Sequence, residues 1–186
     1  EPVHFTSSKG AIAAGIGMVH QHFMQVPSMT VAENLILGSE PRKRGLVNRK
    51  EAIRRTEELS DAYRLKVDAK AQVENITLAM RQKLEILKAL YRGAKILILD
   101  EPTAVLTPQE TEELFEQFKL LREKGHTIIF ISHKLNEVKA LCNRMTILRD
   151  GKTMGTYEIS DLSEQEISTL MVGREVNLNI EKSEPN

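Results

Sequence analysis

Ile96-Leu97-Ile98-Leu99-Asp100-Glu101-Pro102 is an apolar run that stops abruptly at two acids. Four consecutive apolar residues, β-branched in part, predict a strand buried on both faces of a parallel sheet. The carboxyl end of such a strand is where α/β folds place their ligands. An Asp beside a Glu at that point can hold Mg²⁺ through water and offer a base to a second water. The plain alternative is a buried strand that leaves into a charged turn.

Composition narrows the classes. The 186 residues hold 26 Lys and Arg against 26 Asp and Glu, a net charge of +0, which argues against a general nucleic-acid binder. Cys142 is the only cysteine, so a disulfide framework and a cysteine-built zinc site are excluded. No apolar run approaches the roughly 20 residues that span a bilayer. Glu1-Pro2-Val3-His4 has neither the basic start nor the apolar block of a signal peptide. The expected place is cytoplasmic, with any membrane contact made through another protein.

Caps and glycines mark the elements around the acidic strand. Ser7 to Ala14 predicts a short helix stopped by Gly15, and Ile16 to His20 a strand. Thr30-Val31-Ala32-Glu33 is a capping box, and Asn48-Arg49-Lys50-Glu51 is read as a second. After the latter, Ile53, Thr56, Leu59 and Tyr63 recur at helical spacing. A helix from about Thr77 to Arg92 presents Leu84, Leu87, Leu90 and Tyr91 and closes at Gly93. Thr107-Pro108-Gln109-Glu110 opens a helix that buries Leu114, Phe118 and Leu121, and Thr127 to Ile131 is a second apolar strand. A helix at 134–142, a strand Met145 to Leu148, the turn dipeptide Asp150-Gly151 and a capped helix from Ser163 complete the order. This order fits an α/β domain, mostly parallel, with a helical insertion between about residues 22 and 94.

Several separated stretches together resemble the nucleotide-binding domain of ABC transporters, most closely the ATPases of importers for simple sugars and nucleosides. They are Gly15-Ile16-Gly17-Met18-Val19-His20-Gln21-His22-Phe23, Thr30-Val31-Ala32-Glu33-Asn34, Leu87-Lys88-Ala89-Leu90-Tyr91-Arg92-Gly93-Ala94, Leu99-Asp100-Glu101-Pro102-Thr103-Ala104-Val105-Leu106-Thr107-Pro108, and Leu170-Met171-Val172-Gly173-Arg174-Glu175-Val176. The resemblance implies a P-loop NTPase-like fold over residues 1–176, with 177–186 a polar tail or linker. It implies ATP and Mg²⁺ as ligands, and Asp100 as the Walker B aspartate that holds the metal. Glu101 would be the catalytic glutamate that polarises water, and His133 the H-loop histidine at the γ-phosphate. Gln21 would be the Q-loop glutamine, placed on the metal or the water and leading toward the membrane partner. Transmembrane permease subunits and a second nucleotide-binding domain, in the same polypeptide or a dimer, are the implied partners. The implied location is the cytoplasmic face of the cell membrane.

Two departures qualify the resemblance. The family's signature Leu-Ser-Gly-Gly-Gln aligns with Ile76-Thr77-Leu78-Ala79-Met80, the nucleotide-contacting part being Thr77, Leu78, Ala79 and Met80. Thr77 keeps a hydroxyl, Ala79 adds a β-carbon where backbone approaches phosphate, and Met80 loses an amide. No Gly-x-x-x-x-Gly-Lys-Ser/Thr occurs anywhere, and Gly151-Lys152-Thr153 lacks the earlier glycine, position 146 being Thr146. The resemblance therefore reads as a domain truncated before its Walker A motif. The chain alone is expected to bind ATP weakly and to hydrolyse it negligibly.

Two rivals belong to other classes. One is a degenerate, non-hydrolysing ABC half acting as a regulatory or docking module, favoured by the altered signature and opposed by the intact Asp100 and Glu101. The other is a soluble ABC ATPase of DNA repair or chromosome organisation. Roughly 56 residues between Gln21 and Thr77 leave no room for a long coiled-coil arm. The run Pro41-Arg42-Lys43-Arg44 with Arg49 and Lys50 is read as a solvated basic loop.

Overall fold

The computed structural model describes residues 3–172. The chain divides into two compact units between Ile131 and Ser132. The first unit runs α1 (Ser8–Ala13), β1 (Ile16–Val19), α2 (Val31–Ile36), a small hairpin of β2 (Arg42–Lys43) and β3 (Leu46–Val47), α3 (Arg49–Tyr63), α4 (Leu78–Tyr91), β4 (Ile96–Asp100), α5 (Pro108–Glu123) and β5 (Thr127–Ile131).

Its sheet has the order β1-β4-β5, all parallel. Partners in register put their side chains on the same face, so Gly17, Leu97 and Ile128 lie with Val19, Leu99 and Phe130. Both covering helices pack on that face. A β-carbon on Gly17 would lie 2.8 Å from Ala94 Cβ and 2.9 Å from Ala89 Cβ, so the end of α4 sits directly on β1. Phe115 and Phe118 of α5 meet Phe130 edge-on, each with centroids 6.4 Å apart. Leu97, Leu99 and Leu114 are fully buried between them.

The other face departs from expectation. Met18, Ile129 and Ile131 are 43%, 49% and 45% exposed, and Ile96 and Ile98 are only half-buried. Strand β4 is therefore not buried on both faces. With α4 and α5 both on the Leu97–Leu99 side, its burial alternates with the pleat.

Between β1 and β4, helices α2, α3 and α4 pack around Ala32, Ile36, Ala52 and Ala69, with Ile53 and Tyr91 against them. Helix α3 buries Ala52, Thr56 and Ser60, whereas Ile53, Leu59 and Tyr63 are half-buried. The expected apolar stripe is turned because small residues let the backbone of α3 approach closely. Their hydroxyls are satisfied locally, Thr56 Oγ1 donating to Ala52 O at 2.8 Å and Ser60 Oγ to Leu65 O at 3.0 Å. The box expected at Asn48 is half formed. Asn48 Oδ1 accepts from Glu51 N at 3.2 Å, but Asn48 N already donates to Pro41 O at 2.7 Å. The Glu51 carboxylate turns instead to Arg54 and Arg55, whose hydrogen bonds hold it down to about 2. The basic run is not a plain loop: Arg42–Lys43 and Leu46–Val47 pair across a turn at Arg44 and Gly45, both at positive φ.

The second unit holds α6 (Leu135–Leu141), the antiparallel pair β6 (Arg144–Arg149) and β7 (Lys152–Glu158), and α7 (Glu164–Val172). Asp150 and Gly151 make the expected hairpin turn at φ 51° and 72°, which settles Gly151-Lys152-Thr153 as hairpin rather than phosphate loop. Ser163 and Glu166 cap α7 reciprocally. The motif residues Gly173 to Val176 and the tail 177–186 lie outside the described residues. Among the described residues, no helix is long and apolar enough to cross a membrane.

Gly17→Ala should force α4 off β1, because two alanine β-carbons have no rotamer with which to give way. A loss of about 1–3 kcal/mol in urea unfolding is expected.

Candidate functional site

In a parallel sheet the carboxyl ends of all strands lie on one edge, and here Gln21, Asp100 and Glu101 lie at or just past the ends of β1 and β4. Gln21 stands two residues beyond β1 and is exposed, while Asp100 is the last residue of β4 and half-buried. Asp100 pairs in register with Ile131 and lies on the Ile96–Ile98 side, the partly open face.

Glu101 has φ +47°, a left-handed conformation for a residue with a β-carbon. Such a conformation costs on the order of 1–3 kcal/mol and persists only where the surroundings fix it. They do so: Glu101 N donates to Ile131 O at 3.0 Å, tying the turn to the end of β5, and Pro102 and Thr103 after it are buried. The chain thus breaks from β4 at one fixed angle, directly after Asp100. Nothing in the residue pattern announces this backbone state.

His133 belongs to the second unit, where it precedes α6. It follows β5 by two residues in the chain. Beside it, Lys134 N donates to Ser132 Oγ at 3.1 Å, and Lys134 Nζ pairs with Glu137 at 3.0 Å.

The signature-like segment opens α4. Thr77 is its N-cap, with Oγ1 accepting from Met80 N at 3.2 Å. The hydroxyl oxygen is used by the helix itself, while its proton can still be donated outward. Leu78 and Met80 are exposed and Ala79 half-buried. Thr107 likewise caps α5 in a full capping box with Glu110.

The Thr30–Asn34 stretch holds a role that the sequence reading did not assign. Asn34, on α2, is 1% exposed. Its Oδ1 accepts from Val26 N at 2.8 Å, and its Nδ2 donates to Val26 O at 3.0 Å and Thr30 O at 3.1 Å. A buried amide with both ends used holds the loop that descends from Gln21. The available signal was a polar residue on the apolar face of a six-residue helix whose cap had already been recognised.

Comparison with known proteins agrees with this architecture. The ABC transporter family profile matches residues 2–104. The chain belongs to the ABC transporter family. It is 50% identical over 182 residues to the guanosine import ATP-binding protein NupO of Bacillus subtilis, covering 98% of this chain and 36% of that protein. It is 49% identical to the nucleoside import ATP-binding protein NupA of Lactococcus lactis (95% and 35% covered), and 44% identical to the glucose import ATP-binding protein TsgD13 of Haloferax volcanii (95% and 37%). The chain thus spans about a third of the length of the curated relatives it matches. Among solved structures, an ATP-binding cassette of an ABC transporter in its ADP conformation superposes with TM-score 0.67 at 21% identity, covering 88% of this chain and 66% of that one. A dimeric cassette bound to ADP and Pi gives TM-score 0.62 at 26% identity, covering 77% and 62%. The ABC assignment and the α/β cassette fold expected from the motifs are both borne out.

Asn34→Ala in this ABC chain would leave Val26 N without its acceptor. A cost of about 1–3 kcal/mol is expected, with faster amide exchange at Val26; unchanged exchange there would show that Asn34 does not hold the loop.

Proposed function

We propose that this chain is part of the ATP-hydrolysing subunit of an ABC importer for nucleosides or simple sugars. The observation that carries the reading is the end of β4, where Asp100 and a left-handed Glu101 emerge on the same sheet edge as Gln21. The relatives named as import ATP-binding proteins for guanosine, nucleosides and glucose support the solute class. Residues 1–176 would be part of one nucleotide-binding domain, with 22–94 its helical subdomain.

Mg²⁺ is ordinarily held by one or two carboxylates plus substrate phosphates and water, not by a protein cage. Among the described residues no cluster of three or more His, Cys, Asp or Glu occurs, and a single carboxylate at a strand end suits that mode. Asp100 would hold the ion, and Gln21, a neutral amide, would orient water while donating to phosphate oxygen. When bound, the ion supplies charge neutralisation for phosphoryl transfer. Glu101 would accept the proton of the attacking water, and the imidazole of His133 would donate to the γ-phosphate. Thr77, with the head of α4, would meet the nucleotide of a second nucleotide-binding domain. Permease subunits would be engaged through the loop at Gln21, at the cytoplasmic face of the membrane.

Ala79 and Met80 favour a second reading, a non-hydrolysing half that docks or regulates. One experiment separates the two. In the full-length protein, Glu101→Gln should slow phosphate release by roughly 10²–10⁴, the usual worth of a general base. A rate unaffected by the substitution would remove Glu101 from that role.

A further inference from the structure

Three residues after Gln21, the loop is gripped by a buried ion pair. Glu85 and Lys88 lie one turn apart on α4, their side chains 9% and 11% exposed, with Lys88 Nζ 3.0 Å from Glu85 Oε1. Both also reach a single residue of the loop. Glu85 Oε1 accepts from Met24 N at 3.2 Å, and Lys88 Nζ donates to Met24 O at 2.5 Å. The anion thus takes the N–H and the cation takes the carbonyl, so the pair matches the polarity of the backbone it holds.

Packing does not explain Met24's position, since Met24 is 71% exposed. The neighbouring residues are tied to the same elements, Gln25 Nε2 donating to Arg81 O at 2.8 Å on α4 and Val26 being held by Asn34. A buried ion pair is in general replaceable by apolar residues without loss of stability. Leucines at 85 and 88 could fill the space, but neither could bond a backbone N–H or carbonyl. The polar solution is therefore selected by what it grips.

We propose that Glu85 and Lys88 are positioning residues: they lock the loop that begins at Gln21 to α4, so that a displacement of the loop is carried to Thr77 at the head of that helix. The inference rests on the reading of Gln21 as the residue leading to the permease. A 14-residue helix is stiff over its length. Motion imposed at residue 24 then reaches residue 77 through a rod rather than through a chain of side-chain contacts, and the ion pair is the joint that engages it.

The test uses the full-length protein with its permease subunits in proteoliposomes, and the readout is the ratio of ATP hydrolysis with permease to that without. The double exchange Glu85→Lys with Lys88→Glu keeps the attraction between the ions but presents a cation to Met24 N–H and a carboxylate to Met24 C=O. The ratio should fall about tenfold, within the usual range of coupling between sites, with KM for ATP unchanged. Lys88→Arg, which keeps a donor for Met24 O, should keep the ratio. Wild-type stimulation in the double exchange, with stimulation lost in Gln21→Ala, would overturn the role of the pair and leave that of Gln21 standing. Wild-type stimulation in Gln21→Ala would instead remove the reading on which it rests. If the double exchange does not fold, Lys88→Arg is compared with Lys88→Met: stimulation kept by arginine and lost by methionine supports the proposal, and equal stimulation overturns it.

Discussion

Strand β4 is bonded on both sides in parallel register, and that single constraint orders the first unit. With Leu99 fixed between Val19 and Phe130, the pleat decides which side chains go to the helices and which to the partly open face. The same register decides where β4 ends relative to β1 and β5. Asp100 falls opposite Ile131, Glu101 N finds Ile131 O, and Gln21 leaves β1 on the same edge. A one-residue slip would send Asp100 to the leucine face, where a carboxylate would be buried among apolar groups at prohibitive cost.

That edge is built from backbone geometry as much as from side chains. The left-handed turn at Glu101 spends local stability to redirect the chain, and the hydrogen bond to Ile131 together with buried Pro102 and Thr103 holds it there. Strain retained at a strand end, next to an acid, is the pattern expected where chemistry requires a set angle between two neighbouring groups. Asp100 thus keeps its place in the sheet register while the backbone leaves the sheet at Glu101.

Much of this was legible in the residues because local rules dominate locally. Thr30, Thr107 and Ser163 cap helices as their boxes foretell, and Asp150-Gly151 turns a hairpin. What was not legible depended on the neighbour an element meets. The spacing of α3 pointed to Ile53, Thr56, Leu59 and Tyr63; Thr56 is buried, but close approach placed Ala52 and Ser60 inside with it and left the other three half-buried. An apolar run cannot say whether one face or two will be covered, so β4 was read as buried throughout. The grip of Asn34 on Val26 and the left-handed backbone at Glu101 depended on loop conformation, which no periodicity encodes.

Helix α4 shows how several demands converge on one element. Toward its end Ala89 lies against Gly17, and a methyl facing a residue with no side chain lets helix and strand approach closely. In its middle Gln82, Glu85 and Lys88 are buried along with leucines, an expensive arrangement for a helix that only filled a core. At its head Thr77 caps the helix and leaves Leu78 and Met80 exposed. Seated on the sheet at one end, bonded to the Gln21 loop at the middle and open at the other, α4 is shaped to relate three places to one another. The substitutions at Ala79 and Met80 alter only the last of them. The helix's seat on β1 and its bonds to the loop lie away from Ala79 and Met80, so a change at those two positions leaves both in place.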